Sequence, residues 1–133
     1  MIKFFTSKVK PIIGTRLKVE YFDQNDHFAL QLPRYGIITR QLQAEHGVND
    51  WFLLTLDEPF DYQFKSQGSF TLEQLHCEQI LIRSRWKDHR VGDKTPTSVF
   101  ILLIRDEEYL NKEPIQIEKF YHVAWGMSRT EQV

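Results

Sequence analysis

Apolar and polar residues alternate along several short segments of this chain, and this alternation constrains its fold more than any other feature. The clearest case is TRLKVEYF at 15–22, where Leu, Val and Tyr alternate with Arg, Lys and Glu. Neighbouring residues of a strand point to opposite faces, so a period of two predicts a half-buried strand. Further strands are predicted at 35–42, 51–56, 78–86, 98–106 and 115–125. About six or seven mainly antiparallel strands follow.

Apolar residues occupy both faces of the predicted strands WFLLTL at 51–56 and VFILLI at 99–104. Such strands are buried in the middle of a sheet or inside a closed barrel, where no apolar edge is exposed. A chain of 133 residues suits one domain. The sequence therefore predicts a single all-β domain over 1–133, either a small barrel or a barrel-like two-sheet sandwich, with at most one short helix.

Local signals at two places predict where elements begin and end. FTLEQL at 70–75 has the features of a helix start, with Thr71 as N-cap and Gln74 as its reciprocal partner. Pro59 lacks the N–H that a ladder needs, so the strand at 51–56 is predicted to end before it. These signals place a short helical turn between the third and fourth strands.

The charge balance limits the classes of partner. The chain has 17 Lys plus Arg and 18 Asp plus Glu, a formal net charge of -1. This argues against a sequence-blind nucleic-acid binder, which depends on a positive excess. Acidic residues cluster at 57–61 and at 106–113. These clusters either neutralise the basic stretches or take part in partner recognition through complementary fields.

The single cysteine, Cys77, excludes an intramolecular disulfide and favours a reducing compartment. No apolar run approaches the roughly 20 residues that a membrane-spanning helix needs. We therefore expect a cytoplasmic protein with no membrane partner.

The order RLKVEYFD, a long loop, YGIITRQL, a short turn and DWFLLTLDEP resembles the opening of an SH3-like or Tudor-like small barrel, over roughly residues 14–60. In such domains the first long loop and the next turn flank a ligand groove lined by aromatic residues. The resemblance implies a groove at Tyr35, Trp51 and Tyr62 that holds a proline-rich segment or a cationic side chain. A non-catalytic binding or adaptor module for a protein or peptide is the predicted function. The alternative is that these aromatics belong to the core.

The stretch RSRWKDHR at 83–90 carries the second hypothesis, nucleic-acid binding. On a strand, Arg83, Arg85 and Lys87 share one face, and Arg90 follows in the next loop. Trp86 falls on the opposite face, which weakens the case for a ring that stacks on bases beside these cations. The alternative is a solvated strand face.

Other readings stay open. A C-terminal strand apolar on both faces is either central in the sheet or paired across a dimer, and the latter suits a structural subunit of an assembly. The chain has no phosphate-binding loop and no nucleophile-elbow motif, and its histidines are dispersed, so we expect no cofactor, metal or catalytic site. An active site without a motif, around His27 or His122, is the remaining enzymatic alternative. Cys77 is predicted to be a buried apolar residue that does not act with His76.

Overall fold

The chain folds into a closed antiparallel barrel. The computed structural model describes residues 13–21, 31–44, 51–65, 72–85, 91 and 96–130. Its strands are β1 (Arg16–Tyr21), β2 (Arg34–Leu42), β3 (Trp51–Lys65), β4 (Leu72–Ser84), β5 (Thr97–Leu103) and β6 (Tyr121–Thr130). Each strand pairs with the next, and β6 pairs with β1 to close the barrel. The predicted all-β class is confirmed, and the barrel is the observed alternative rather than the sandwich.

The connection between β5 and β6 contains two 3₁₀ turns, Glu107–Leu110 and Ile117–Lys119. Within the described ranges no helix has the length and apolarity needed to cross a membrane.

The barrel interior is filled by the inward side of the alternating strands. Its fully buried side chains include one or more from each of the first five strands, among them Leu17, Ile38, Leu54, Ile82 and Ile101. Burial of a side chain of this size is worth about 1.5–3 kcal/mol relative to exposure. The predicted period of two therefore corresponds to the inside and the outside of the barrel.

A second apolar cluster lies on the outside of the barrel. Leu53, Leu81 and Leu102 face outward from β3, β4 and β5, yet each is at most 3% exposed. They are covered by the connection between β5 and β6, residues 104–120, which contributes Leu110 and Phe120 among others. This cover explains why β3 and β5 are apolar on both faces: one face fills the barrel and the other lies beneath the connection.

Polar contacts hold this connection against β2. The Ile115 N–H donates to the Gln43 carbonyl at 2.8 Å, and the Gln43 N–H donates to Glu113 Oε2 at 3.1 Å. Arg40 Nη2 donates to the Leu110 carbonyl at 3.1 Å. The connection is therefore fixed to the barrel at several points rather than by apolar contact alone.

The structure differs from the sequence predictions between the third and fourth strands. Residues 72–75, predicted as part of a helical turn, belong to β4, and β3 continues past Pro59 to Lys65. The register of β3 against β4 shifts between Thr55 and Phe60, so the exposed Pro59 lies in an irregular part of the ladder. Cross-strand pairing with β3 outweighs the local capping signal, while Thr71 lies outside the described residues.

A similar difference precedes the last strand. Residues 115–120 were predicted as strand, but they hold the turn Ile117–Lys119 and the buried Phe120, and β6 begins only at Tyr121. β6 has β5 on one side and β1 on the other. Of the two predicted placements of this strand, the central one is observed. An oligomer formed through β6 stays a prediction, and it would need a surface of β6 other than its paired edges.

The far parts of β3 and β4 form a two-stranded ribbon, residues 57–65 and 72–79. β2 pairs with β3 only as far as Leu56, and β5 pairs with β4 only from Ile80 onward. Among the described strands, residues 57–65 and 72–78 therefore have ladder partners only in each other, and Gln79 pairs with Thr55 of β3. One face of the ribbon packs against the interior core through Phe60 and Cys77, and the other carries exposed side chains that are mostly polar.

Candidate functional site

The three aromatic residues of the predicted groove lie in different surroundings. Tyr35 is 37% exposed on the outside of β2, with the Lys18 ammonium 5.9 Å from its ring centroid. Trp51 is 4% exposed and belongs to the outer cluster beneath the connection. Tyr62 is half-buried and packs against the interior core. The described structure does not bring the three onto one surface, and residues 22–30 and 45–50 lie outside it.

The described part of the basic stretch packs against rings. Arg83 is half-buried, and its guanidinium carbon lies 5.9 Å from the ring centroids of both Trp51 and Phe100. Such cation–π contacts stabilise the guanidinium in this position. Arg85 follows in a half-buried position, and Lys87 and Arg90 lie outside the described residues. Arg83 therefore covers the edge of the outer cluster, a role that neither the nucleic-acid hypothesis nor the solvated strand face had included.

Cys77 is 3% exposed on the inward face of β4. Burial, together with the smaller effect of the nearby Asp61 carboxylate and against the opposing effect of Arg34, raises the pKa of its thiol to about 11. His76 faces the other way, with its Nδ1 2.8 Å from Asp61 Oδ1. The predictions that Cys77 is buried and turned away from His76 are confirmed.

We expect the Cys77 thiol to be unreactive in the folded protein, because the thiolate is the nucleophile and little of it forms below the raised pKa. A colourless aromatic disulfide that releases a coloured thiol should label almost nothing at mildly alkaline pH. Added denaturant should then release one equivalent. Rapid stoichiometric labelling without denaturant would contradict this burial.

The ribbon concentrates negative charge. It holds a single lysine, Lys65, against five carboxylates, namely Asp57, Glu58, Asp61, Glu73 and Glu78. Four of these five residues are exposed, and Glu73 is half-buried. The ribbon is thus an acidic surface on a chain whose overall charge is close to neutral.

Two of the carboxylates are held by arginines from outside the ribbon. Arg16 of β1 forms a bidentate pair with Asp57, at 3.1 and 2.5 Å, and Arg105 reaches both oxygens of Glu73, at 3.0 and 2.8 Å. In the described part of the chain the structure gives no ion pair for Glu58 or Glu78. These two exposed carboxylates leave the ribbon with negative charge that faces solvent.

Hydrogen bonds from Arg16 lower the pKa of Asp57 below its ordinary 3.8, with a smaller opposing effect of burial. A lowered folded-state pKa means that the ionised carboxylate favours folding, so this contribution is present above the ordinary value and is lost as the pH falls through the folded pKa. We expect Arg16→Gln to raise the Asp57 midpoint in an NMR titration of the carboxyl carbons. Lys18→Gln is the control, since Lys18 pairs with Glu20 and should leave that midpoint unchanged. An unchanged midpoint in Arg16→Gln would contradict the pair.

The outer face of β4 in the ribbon presents alternate residues to solvent. Leu72 is 66% exposed, and Gln74, His76 and Glu78 on the same face are exposed as well. The acidic cluster at 57–61 is visible in the sequence, but its proximity to Glu73 and Glu78 is not. If 72–79 is a strand, its period of two places an apolar residue, two polar residues and an acid on one face. This alternation is the sequence signal that could have predicted the exposed outer face of β4.

Comparison with known proteins adds no relative. No model of a protein family matches the chain, and searches of the curated proteins and of the solved structures found no match. The closed antiparallel barrel is consistent with the small-barrel part of the SH3-like resemblance. Within the described residues no three His, Cys, Asp or Glu side chains are grouped so as to hold a metal ion.

Proposed function

We propose that this chain is a non-catalytic binding module that recognises a basic segment of another protein through the acidic β3–β4 ribbon. The observation that carries the proposal is the concentration of five carboxylates on the ribbon, of which Glu58 and Glu78 are exposed and have no ion pair among the described residues. Complementary charge steers such partners together and selects against acidic ones. The exposed Leu72 offers an apolar contact beside this charge.

The proposed surface differs from the groove predicted at Tyr35, Trp51 and Tyr62. Trp51 is 4% exposed, and Tyr62 packs against the interior core, so these two side chains offer little surface to a partner. The SH3-like or Tudor-like resemblance implies a peptide or a cationic side chain as ligand. It therefore supports the same class of partner, although the surface proposed here is the ribbon.

Two observations weigh against nucleic acid as the partner. The guanidinium of Arg83 already lies over Trp51 and Phe100, where it is half-buried. The ribbon's carboxylates repel phosphates, and the formal net charge of -1 supplies no compensating field. A basic protein segment meets neither obstacle.

The proposal is tested with a fluorescent peptide of alternating Lys and Thr, as long as residues 72–79. We expect binding that weakens as ionic strength rises, and no binding of a Glu–Thr peptide. The double variant Glu58→Lys, Glu78→Lys should weaken binding at least about tenfold. The double variant Glu107→Lys, Glu118→Lys makes the same change of charge on two exposed acids of the connection, so it is the matched control and should bind like the unaltered chain.

A second probe tests nucleic acid as the alternative partner. A fluorescent single-stranded oligonucleotide is titrated in parallel, with the unaltered chain and with Arg83→Glu, Arg85→Glu. Tight, salt-sensitive binding of the oligonucleotide, lost in this variant, would overturn the proposal and move the site to the basic stretch. Equal binding of the Lys–Thr peptide by the ribbon variant and the control variant would overturn it as well.

A further inference from the structure

We infer that the basic segment binds by strand addition, pairing as an extended strand with the open edge of β4 over residues 72–79 and continuing the line of β5. This inference rests on the proposed function, because the acidic ribbon supplies the charge that attracts the segment. Strand addition draws its affinity from main-chain hydrogen bonds and its specificity from alternate side chains.

In the described part of the chain this edge has no strand beside it, because β5 is shorter than β4. Leu103, the last residue of β5, lies opposite Ile80, and the chain then turns into the 3₁₀ turn Glu107–Leu110. Among the described strands none lies beside 72–79 on the side away from β3. Alternate residues of an antiparallel strand direct their N–H and C=O groups to that side. Such a row of groups is a template for another strand.

The other open edge of the ribbon, on β3, is less suited to an added strand. Pro59 has no N–H to donate to a ladder. Arg34 occupies the same region, since its Nη1 donates to the Glu58 carbonyl at 3.4 Å and its guanidinium lies 4.7 Å from the Phe60 ring centroid. The stretch 72–79 of β4 contains no proline. The structure therefore favours the β4 edge as the site of addition.

The contact between Arg105 and Glu73 shows that this edge accepts a cation. Arg105 follows β5 by two residues, and its guanidinium reaches both carboxylate oxygens of Glu73. A cation from just past the end of β5 therefore already lies against β4 in the ribbon. Glu78 is exposed and has no described ion pair, so a Lys or Arg of an added strand has a carboxylate beside it. Leu72, at 66% exposed, would gain an apolar neighbour at the far end of the same strand.

Hydrogen exchange of individual backbone amides, followed by NMR in the full chain, tests this mode of binding. We expect alternate amides within 72–79 to exchange quickly in the free protein and to slow at least about tenfold with saturating Lys–Thr peptide. A Lys–Pro peptide of equal length and charge is the control, because proline cannot donate to the ladder. It should bind at least about tenfold more weakly and leave these amides unchanged.

The outcomes separate the inference from the proposed function. Equal binding of the two peptides, with no slowing at 72–79, would overturn strand addition while the acidic ribbon remained the binding surface. Binding of neither peptide would overturn the proposed function and the inference with it. Slow exchange of all amides at 72–79 in the free protein would show that the edge is already covered, which also overturns the inference.

Discussion

Replacement of Trp51 by alanine is expected to lower the free energy of unfolding by about 3–5 kcal/mol, the range for deletion of a large buried aromatic side chain. Trp51 is 4% exposed and packs in the outer cluster with Leu53 and Leu102. The substitution opens a cavity between the barrel and the connection, and it removes one of the two rings beneath Arg83. Equilibrium unfolding in urea, followed by far-ultraviolet circular dichroism, measures the loss.

Two further variants serve as controls for the loss of stability expected in Trp51→Ala. Trp51→Phe keeps a ring in the cluster and removes the Nε1–H, which is buried and has no hydrogen-bond partner in the described structure. Trp51→Phe should therefore lower the free energy of unfolding by less than half as much as Trp51→Ala does. Tyr35→Ala, at an exposed ring, should change stability by less than about 1 kcal/mol. Wild-type stability of Trp51→Ala, together with lost peptide binding, would instead place Trp51 in the groove that the sequence predicts.

The period-two pattern was sufficient to predict the class of fold. It located β1, β2 and most of β5 because in each of them one face is buried by the barrel itself. It also identified WFLLTL and VFILLI as buried on both faces. What covers their outer face was not visible, since the connection at 104–120 reaches them only through contacts distant in sequence, such as Ile115 with Gln43.

The ribbon was missed for a related reason. Pro59 and the capping signal at 70–75 are local features, and locally they argue against strand. The ladder between β3 and β4 continues from the pair Phe60–Cys77 to the pair Lys65–Leu72. This non-local pairing outweighs the two local signals. Local propensity is a weak prior that tertiary context overrides.

The same limit applies to the candidate site. The cluster at 57–61 was visible as a run of acids, but Glu73 and Glu78 join it only through the β3–β4 ladder. For the aromatics, composition does not tell an exposed ring from a buried one. Trp51 and Tyr35 both lie at predicted strand ends in the sequence. In the structure Trp51 belongs to the outer cluster and is 4% exposed, whereas Tyr35 is 37% exposed.

Replacement of Gly36 by alanine is expected to lower the free energy of unfolding by about 3 kcal/mol, the upper part of the range for an overpacked site. A Cβ at Gly36 would overlap the Thr55 carbonyl oxygen of β3 and lie 3.0 Å from both the Thr55 carbonyl carbon and Leu54 Cγ. The main obstacle is backbone, which no side-chain rotation relieves, so β2 and β3 must separate where they pair. Thermal and urea unfolding measure the effect.

The matched control for Gly36 is Gly14→Ala. Gly14 has φ +95° and no atom within 4 Å of a built Cβ, so its substitution costs only the backbone conformation, about 1–2 kcal/mol. A greater loss at Gly36 than at Gly14 would show that close approach of two strands, rather than conformational freedom, requires glycine in β2. Equal losses would contradict the close packing of β2 on β3. That packing matters for the ribbon, because the ribbon begins where β3 passes Leu56, the partner of Gly36.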